Sequence, residues 1–203
     1  MRLPRHETPV VGAVEKLIER IGVYLPEVMP EPLSIILAGG AALSFYCPYR
    51  TSHDVDAIFS RRILLPEDIA VAFVDAQDQN RLLDFDRQYH PSLGLEPEGY
   101  EDRALLVNEV AGGRIRLLVV EPNDLAVMKI GRYWEHDRAD VRALATEGLL
   151  DADIVARRAQ SGLSYYIGDI RSVEINIRDA VKVIRSLQHH HGRKPGPSCV
   201  TGE

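Results

Sequence analysis

The segment IILAGGAALSFYCPYRTSHDVDAIFS, residues 35–60, combines a Gly-Gly pair with two aspartates that stand one residue apart. The apolar run before the glycines is too short for a helix and predicts a buried strand, and a short helix is expected over 41–47. The stretch DVDAIFS predicts the next strand, which carries Asp54 and Asp56. Because side chains alternate along a strand, both carboxylates are expected on one face. Burying them is costly unless they are paired or bind a cation, so either the strand ends in solvent or the pair holds a cation.

The Gly39-Gly40 turn supplies a second chemical element. Backbone N–H groups at a glycine-rich turn that opens a helix favour an anion, and the helix dipole adds to this preference. Two neighbouring carboxylates suit a hard cation such as Mg²⁺, which retains open positions for phosphate oxygens. Each feature alone is more often a tight turn or a solvated strand end. Together they predict a phosphate site beside a metal site, the combination that phosphoryl or nucleotidyl transfer requires.

Composition restricts the class of protein. The chain has 203 residues, a formal net charge of −6 and a hydrophobic fraction of 45%. The negative charge argues against a broad surface for nucleic-acid backbones. Cys47 and Cys199 are far apart and predict no disulfide framework. We see no secretory signal and no apolar run long enough to span a membrane, so a cytoplasmic protein without membrane partners is expected.

The order of predicted elements indicates an α+β fold, a small mixed sheet with flanking helices and a helical C-terminal part. Helices are expected over 9–25 and 66–77, and ALLVNEV and RIRLLVVE predict a hairpin. One long helix is expected from Asn123, or a neighbour as cap, to the stop at Gly148, followed by two further helices. Residues 1–188 are interpreted as a single domain and 189–203 as a disordered tail.

One face of the predicted long helix collects charged side chains. At about 100° per residue, Lys129, Arg132, Asp137 and Asp140 fall within about 140°, while Trp134 falls on the core side. This stripe is either an exposed face with salt bridges or a phosphate-binding face on which Asp140 orients Lys129. Lys129, Arg132 and Asp140 are therefore candidate nucleotide-binding residues.

The motif Gly-Gly, short helix, then Arg50-x-Ser52-x-Asp54-x-Asp56 resembles the nucleotidyltransferase superfamily that includes polymerase-beta-like enzymes. Within it, EPNDLAVMKIGRYWEHDRADVRAL resembles a bacterial branch allied to the AbiEii-type toxins. The resemblance covers about residues 30–150. It implies that Asp54 and Asp56 are catalytic ligands of Mg²⁺ or Mn²⁺, and that nucleotide phosphates contact Gly39, Gly40, Ser52 and Lys129.

The resemblance also implies an NTP substrate and transfer of a nucleotidyl group to an unknown acceptor, such as a tRNA or a protein. A toxin of this kind would have an antitoxin partner. Active members usually add a third carboxylate in mid-strand, but the only acid of RIRLLVVE is the terminal Glu121. Asp84, Asp86 and Glu109 are alternatives between which the sequence does not choose. A non-catalytic interaction module that has lost the third carboxylate is therefore the rival hypothesis, and metal-dependent phosphate-ester hydrolysis is a third.

Overall fold

A computed structural model describes residues 7–47, 52, 54–90 and 94–191. Its helices and strands alternate early and become all helical after the second hairpin, which confirms the predicted α+β class. The helices of this part of the chain are α1 Pro9–Tyr24, α2 Gly39–Tyr46, α3 Tyr100–Arg103, α4 Pro122–Arg132, α5 Glu135–Thr146, α6 Ala152–Gly162 and α7 Ile170–His191. The strands are β1 Leu33–Leu37, β2 Asp54–Val55, β3 Ala57–Phe59, β4 Val71–Val74, β5 Asn80–Phe85, β6 Leu105–Val110 and β7 Ile115–Val119.

Two small sheets form the β part. The first has the order β3-β1-β7-β6, in which β1 runs parallel to β7 and antiparallel to β3. The predicted hairpin is confirmed as the antiparallel pair β6 and β7. The second sheet has the order β2-β5-β4, with β2 parallel to β5. A core of aliphatic side chains, including Leu17, Ile35 and Leu117, joins α1 to the first sheet.

The strand expected over DVDAIFS is in fact two strands that belong to different sheets. Asp54 and Val55 pair with β5, whereas Ala57 to Phe59 pair with β1. Asp56 lies between them, and its carbonyl accepts a hydrogen bond of 2.8 Å from the backbone N–H of Ala38. Asp56 therefore stands where the two sheets meet the end of β1.

The single helix predicted from Asn123 to Gly148 is wrong, because the chain breaks between α4 and α5. Tyr133 adopts a left-handed backbone with φ of 52°, and the Asp137 carboxylate accepts a hydrogen bond from the backbone N–H of Trp134. The new helix start thus has its own cap. Trp134 is 62% exposed, so its predicted place in the core is also wrong. The helix cap before α4 is Glu121.

The helix expected over 66–77 is wrong as well. Its second half is strand β4, in which buried Val71 and half-buried Phe73 alternate with exposed neighbours. The following turn is fixed by Asp75, whose carboxylate accepts N–H groups of Gln77 and Gln79 and pairs with Arg81. Pro66 and two acids imitate a helix start, but the period-two burial pattern prevails.

The C-terminal helices are confirmed as α6 and α7. Helix α7 continues through His191, three residues into the segment predicted as a tail, and the remainder of that segment, with Cys199, lies outside the described residues. The domain boundary at 188 stays a prediction. Within the part of the chain that the structure describes, no helix is both long and apolar enough to cross a membrane.

Candidate functional site

A cleft of about 530 Å³ opens beside the junction of the two sheets. One wall comes from the ends of β1, β2 and β5, and the other from α4. The residues that line it are Gly39, Asp56, Asp86, Gln88, Tyr89, His90, Gly94, Leu95, Leu125, Met128, Lys129, Gly131, Arg132, Asp137 and Tyr166. The cleft therefore gathers acidic, basic and aromatic side chains from parts of the chain that are far apart in sequence.

Two carboxylates end neighbouring parallel strands at the base of this cleft. Asp56 directly follows β2 and Asp86 directly follows β5, and the N–H of Asp86 donates a hydrogen bond of 3.1 Å to the carbonyl of Val55. Parallel strands point their carboxyl ends to the same edge, so the register brings these two acids together. Of the three alternatives for a third carboxylate, only Asp86 lines the cleft.

The other two alternatives lie elsewhere. Asp84 accepts a hydrogen bond from the N–H of Phe85, and Glu109 is an exposed side chain of β6 that lies 4.0 Å from Arg116. The sequence could not choose among them because the choice depends on the pairing of β2 with β5, about thirty residues apart.

The environment of Asp56 disfavours the charged form of its carboxylate. Its pKa is raised from 3.8 to about 6, first because burial removes solvent from the carboxylate and second because Asp86 repels it. The charges of Lys129 and Arg132 lower the pKa, and Asp54 raises it slightly. A carboxylate held in this way is poised to gain a cation.

Gly39 lies directly against Asp56. Its backbone φ is +57°, and a Cβ at this position would stand 1.7 Å from the Asp56 Oδ2 atom. Only glycine allows both the left-handed backbone and this close approach. Gly39 is also the first residue of α2, so the N-terminal end of that helix opens at the carboxylate. Gly40 follows inside the helix, is buried, and accepts the Ser44 hydroxyl at its carbonyl.

The remaining residues predicted around the acids are outside the cleft lining. Asp54 is exposed on β2, and buried Ser52 donates its hydroxyl to the carbonyl of Asp54 at 2.8 Å. Ser52 therefore shapes the approach to the acids. Arg50 lies outside the described residues. A metal role for Asp54 and a phosphate role for Ser52 and Gly40 stay predictions.

The charged residues predicted to share one helix face do come together, although the helix is broken. The Lys129 Nζ atom lies 2.6 Å from Asp140 Oδ2, and Arg132 Nε lies 3.0 Å from Asp137 Oδ2. Lys129 is 6% exposed and both aspartates are 0% exposed, so the alternative of a wholly exposed stripe is wrong. The predicted contact of Asp140 with Lys129 is present. Each cation of α4 is thus held at the cleft by an acid of α5.

The cleft also has an apolar wall. It contains Leu95, Leu125 and Met128, with the rings of Tyr89 and Tyr166. Burial and the charge of Asp56 raise the pKa of Tyr89 well above its usual value, so the phenol stays neutral. Neither tyrosine is among the site residues predicted from the sequence, and the position of Tyr89 three residues after Asp86 was the available signal.

A family model described as "Nucleotidyltransferase of unknown function (DUF6036)" matches residues 16–185. The chain belongs to this family. The match includes every residue that lines the cleft and confirms the resemblance at the level of a nucleotidyltransferase. No curated protein and no solved structure shows significant similarity to the chain.

The cleft of this nucleotidyltransferase-family chain offers the carboxylate oxygens of Asp56 and Asp86 to a metal ion. Among the described residues there is no group of three or more His, Cys, Asp or Glu side chains placed to hold a metal. Mg²⁺ needs no such cage, because it is bound by one or two carboxylates with waters and substrate phosphates. The oxygen donors of Asp56 and Asp86, with the raised pKa of Asp56, fit a cation of this kind that arrives with phosphates.

Proposed function

We propose that the cleft binds an NTP with Mg²⁺ or Mn²⁺ and that the protein transfers the nucleotidyl group to an acceptor hydroxyl. The single observation that carries the proposal is that Asp56 and Asp86 line one cleft in which Asp56 lies against Gly39 at a helix N-terminus. Asp56 and Asp86 would hold the cation, and Asp54 would join from the solvent side. When bound, the cation neutralises charge on the transferred phosphate.

The other charged groups fit the phosphate chain. Lys129 is anchored by Asp140 and Arg132 by Asp137, so both cations are fixed in the cleft without freezing long, mobile side chains on binding. Preorganised charges of this type stabilise a transition state better than flexible ones. The N-terminal end of α2 at Gly39 and Gly40 adds backbone donors. The apolar wall with Tyr89 and Tyr166 suits an apolar or planar part of the nucleotide or of the acceptor.

The reaction follows from this arrangement. The acceptor hydroxyl oxygen forms a bond to the α-phosphorus, the bond to the bridging oxygen breaks, and pyrophosphate leaves. The hydroxyl proton passes to a carboxylate of the cleft. We propose Asp86 as the third carboxylate, whose apparent absence motivated the non-catalytic alternative.

Calorimetric titration with Mg²⁺ and a non-hydrolysable NTP tests the binding step. We expect heat for the natural protein and its loss in Asp56→Asn and in Asp86→Asn. Asp84→Asn is the matched control, because it removes a carboxylate of the same strand that does not line the cleft. Equal heats for all four proteins, or none for the folded natural protein, would contradict the proposal.

The narrower resemblance to AbiEii-type toxins supports a further part of the proposal: an RNA or protein acceptor, and an antitoxin that neutralises the activity. Expression in a bacterial host tests it. We expect growth arrest by the natural chain, no arrest by Asp56→Asn at equal soluble yield, and ³²P label from an NTP on an RNA or a protein. Normal growth with unlabelled macromolecules would remove the toxin interpretation and leave a transferase with a small acceptor.

A further inference from the structure

Trp134 is an exposed aromatic side chain beside Arg132, one of the residues that line the cleft. It is 62% exposed, and burial of its ring would normally contribute strongly to folding. The ring is next to Arg132, whose Cζ atom lies 5.0 Å from the ring centroid. Arg132 lines the cleft and is held by the fully buried Asp137. Trp134 is thus attached to the cleft wall through a fixed cation.

The backbone presents this side chain to solvent. A continuous helix would turn Trp134 toward the core, but Tyr133 takes a left-handed conformation with φ of 52° and the chain starts a new helix at Glu135. Such backbone outliers cost free energy in a residue that is not glycine, and they concentrate at functional sites. The Asp137 carboxylate binds both the N–H of Trp134 and the guanidinium of Arg132, so one buried acid sets both groups.

We infer that Trp134, with Arg132, forms a nucleobase-binding site at the mouth of the cleft. Stacking of bases on aromatic rings, with an adjacent arginine, is the common way in which proteins hold unpaired nucleotides. His136 stands edge-on to the ring at 6.1 Å and adds a polar group beside it. The base can belong to the NTP or to the single-stranded end of an RNA acceptor. The inference rests on the proposed function and specifies its substrate.

Trp134 is the only tryptophan of the chain, so its fluorescence reports on this site alone. We expect ATP with Mg²⁺, or a short single-stranded RNA, to quench the emission more strongly than inorganic triphosphate does, because triphosphate can reach Arg132 but has no base. Quenching by ATP alone would assign the base of the NTP, and quenching by RNA without NTP would assign the acceptor. If neither nucleotide nor RNA changes the emission, the inference is wrong.

Substitutions separate this inference from the proposed function. In calorimetry, Trp134→Ala should weaken binding of the quenching ligand about 5- to 150-fold, the range for losing one stacking partner, and Trp134→Phe should restore most of the affinity. Tyr24→Ala is the matched control, since Tyr24 is an exposed aromatic residue that lines a different groove. Unchanged affinity in Trp134→Ala, with the binding still abolished by Asp56→Asn, would overturn the inference and leave the proposed function standing. If the natural protein binds neither nucleotide nor RNA, both the inference and the proposed function are wrong.

Discussion

Two carboxylates beside helix α4, Asp124 and Asp56, are treated differently by the chain. Asp124 is 0% exposed and is fully neutralised, because Arg103 lies 2.8 Å and Arg158 lies 3.1 Å from its oxygens. Asp56 is also partly buried, but the charged group with the largest effect on it is Asp86, whose carboxylate repels it. The cations that favour its charged form, Lys129 and Arg132, are each engaged by another aspartate.

Asp124 stabilises the fold through its ion pairs, whereas we propose that Asp56 binds a cation. Around Asp124 the charges balance, and they tie α4 to α3 and α6. Around Asp56, burial and the repulsion of Asp86 outweigh the charges of Lys129 and Arg132, and the pKa rises to about 6. A buried carboxylate is stabilised when a cationic side chain pairs with it. A carboxylate without such a partner can instead bind a cation that arrives with a ligand. The cleft is therefore where we propose that a cation binds.

The largest expected effect comes from Asp56→Asn. Loss of this oxygen donor should reduce nucleotidyl transfer by at least about 10³-fold, because a cation neutralising the phosphate supplies several kcal/mol. The free energy of unfolding at pH 7 should stay equal or increase, since a repelled carboxylate is removed. Transfer assays and urea unfolding measure the two quantities. A strongly destabilised Asp56→Asn would show that Asp56 serves the fold as Asp124 does.

Asp124→Asn should have the opposite profile. It leaves Arg103 and Arg158 without their shared carboxylate, and breaking a buried ion pair costs about 3 kcal/mol or more. Nucleotide affinity per folded molecule should be unchanged, as calorimetry at low temperature would show. A variant of natural stability that fails to bind nucleotide would instead place Asp124 in the site and end the comparison.

A smaller effect is expected in the pH dependence of stability. The pKa of Asp56 is higher in the folded protein than its unfolded value of 3.8, so its contribution is complete below pH 4 and is lost as pH rises through about 6. The natural protein should lose at most about 2–3 kcal/mol relative to Asp56→Asn between pH 4 and 7. If the free energies of unfolding of the two proteins change equally with pH across this range, the raised pKa of Asp56 is contradicted.

Some of the features on which these predictions depend could be recognised in the sequence, and others could not. The Gly-Gly turn and the acid pair were visible because their chemistry lies within one segment, 35–60. The contact of Lys129 with Asp140 was predicted from a continuous helix and is correct although the helix is not, because α4 and α5 pack against each other. The break at Tyr133 was missed, although Gly131 stands two residues before it and was the available signal.

Long-range pairing accounts for the rest. Asp86 reaches Asp56 only through the parallel register of β2 and β5, and local patterns carry no record of which strands pair. The same holds for Tyr166, which comes to the cleft from the segment between α6 and α7. Strand β4 was mistaken for a helix because Pro66 and two acids dominate the local signal while its alternation spans four residues.

The titration of the Asp56 carboxyl, followed by ¹³C NMR with Asp56→Asn to assign the signal, tests the central claim most directly. In the protein alone we expect a pKa of about 6. Addition of Mg²⁺ with a non-hydrolysable NTP should lower it well below that value, because the cation stabilises the charged form. An ordinary pKa near 4 that does not move when both are added would contradict the account.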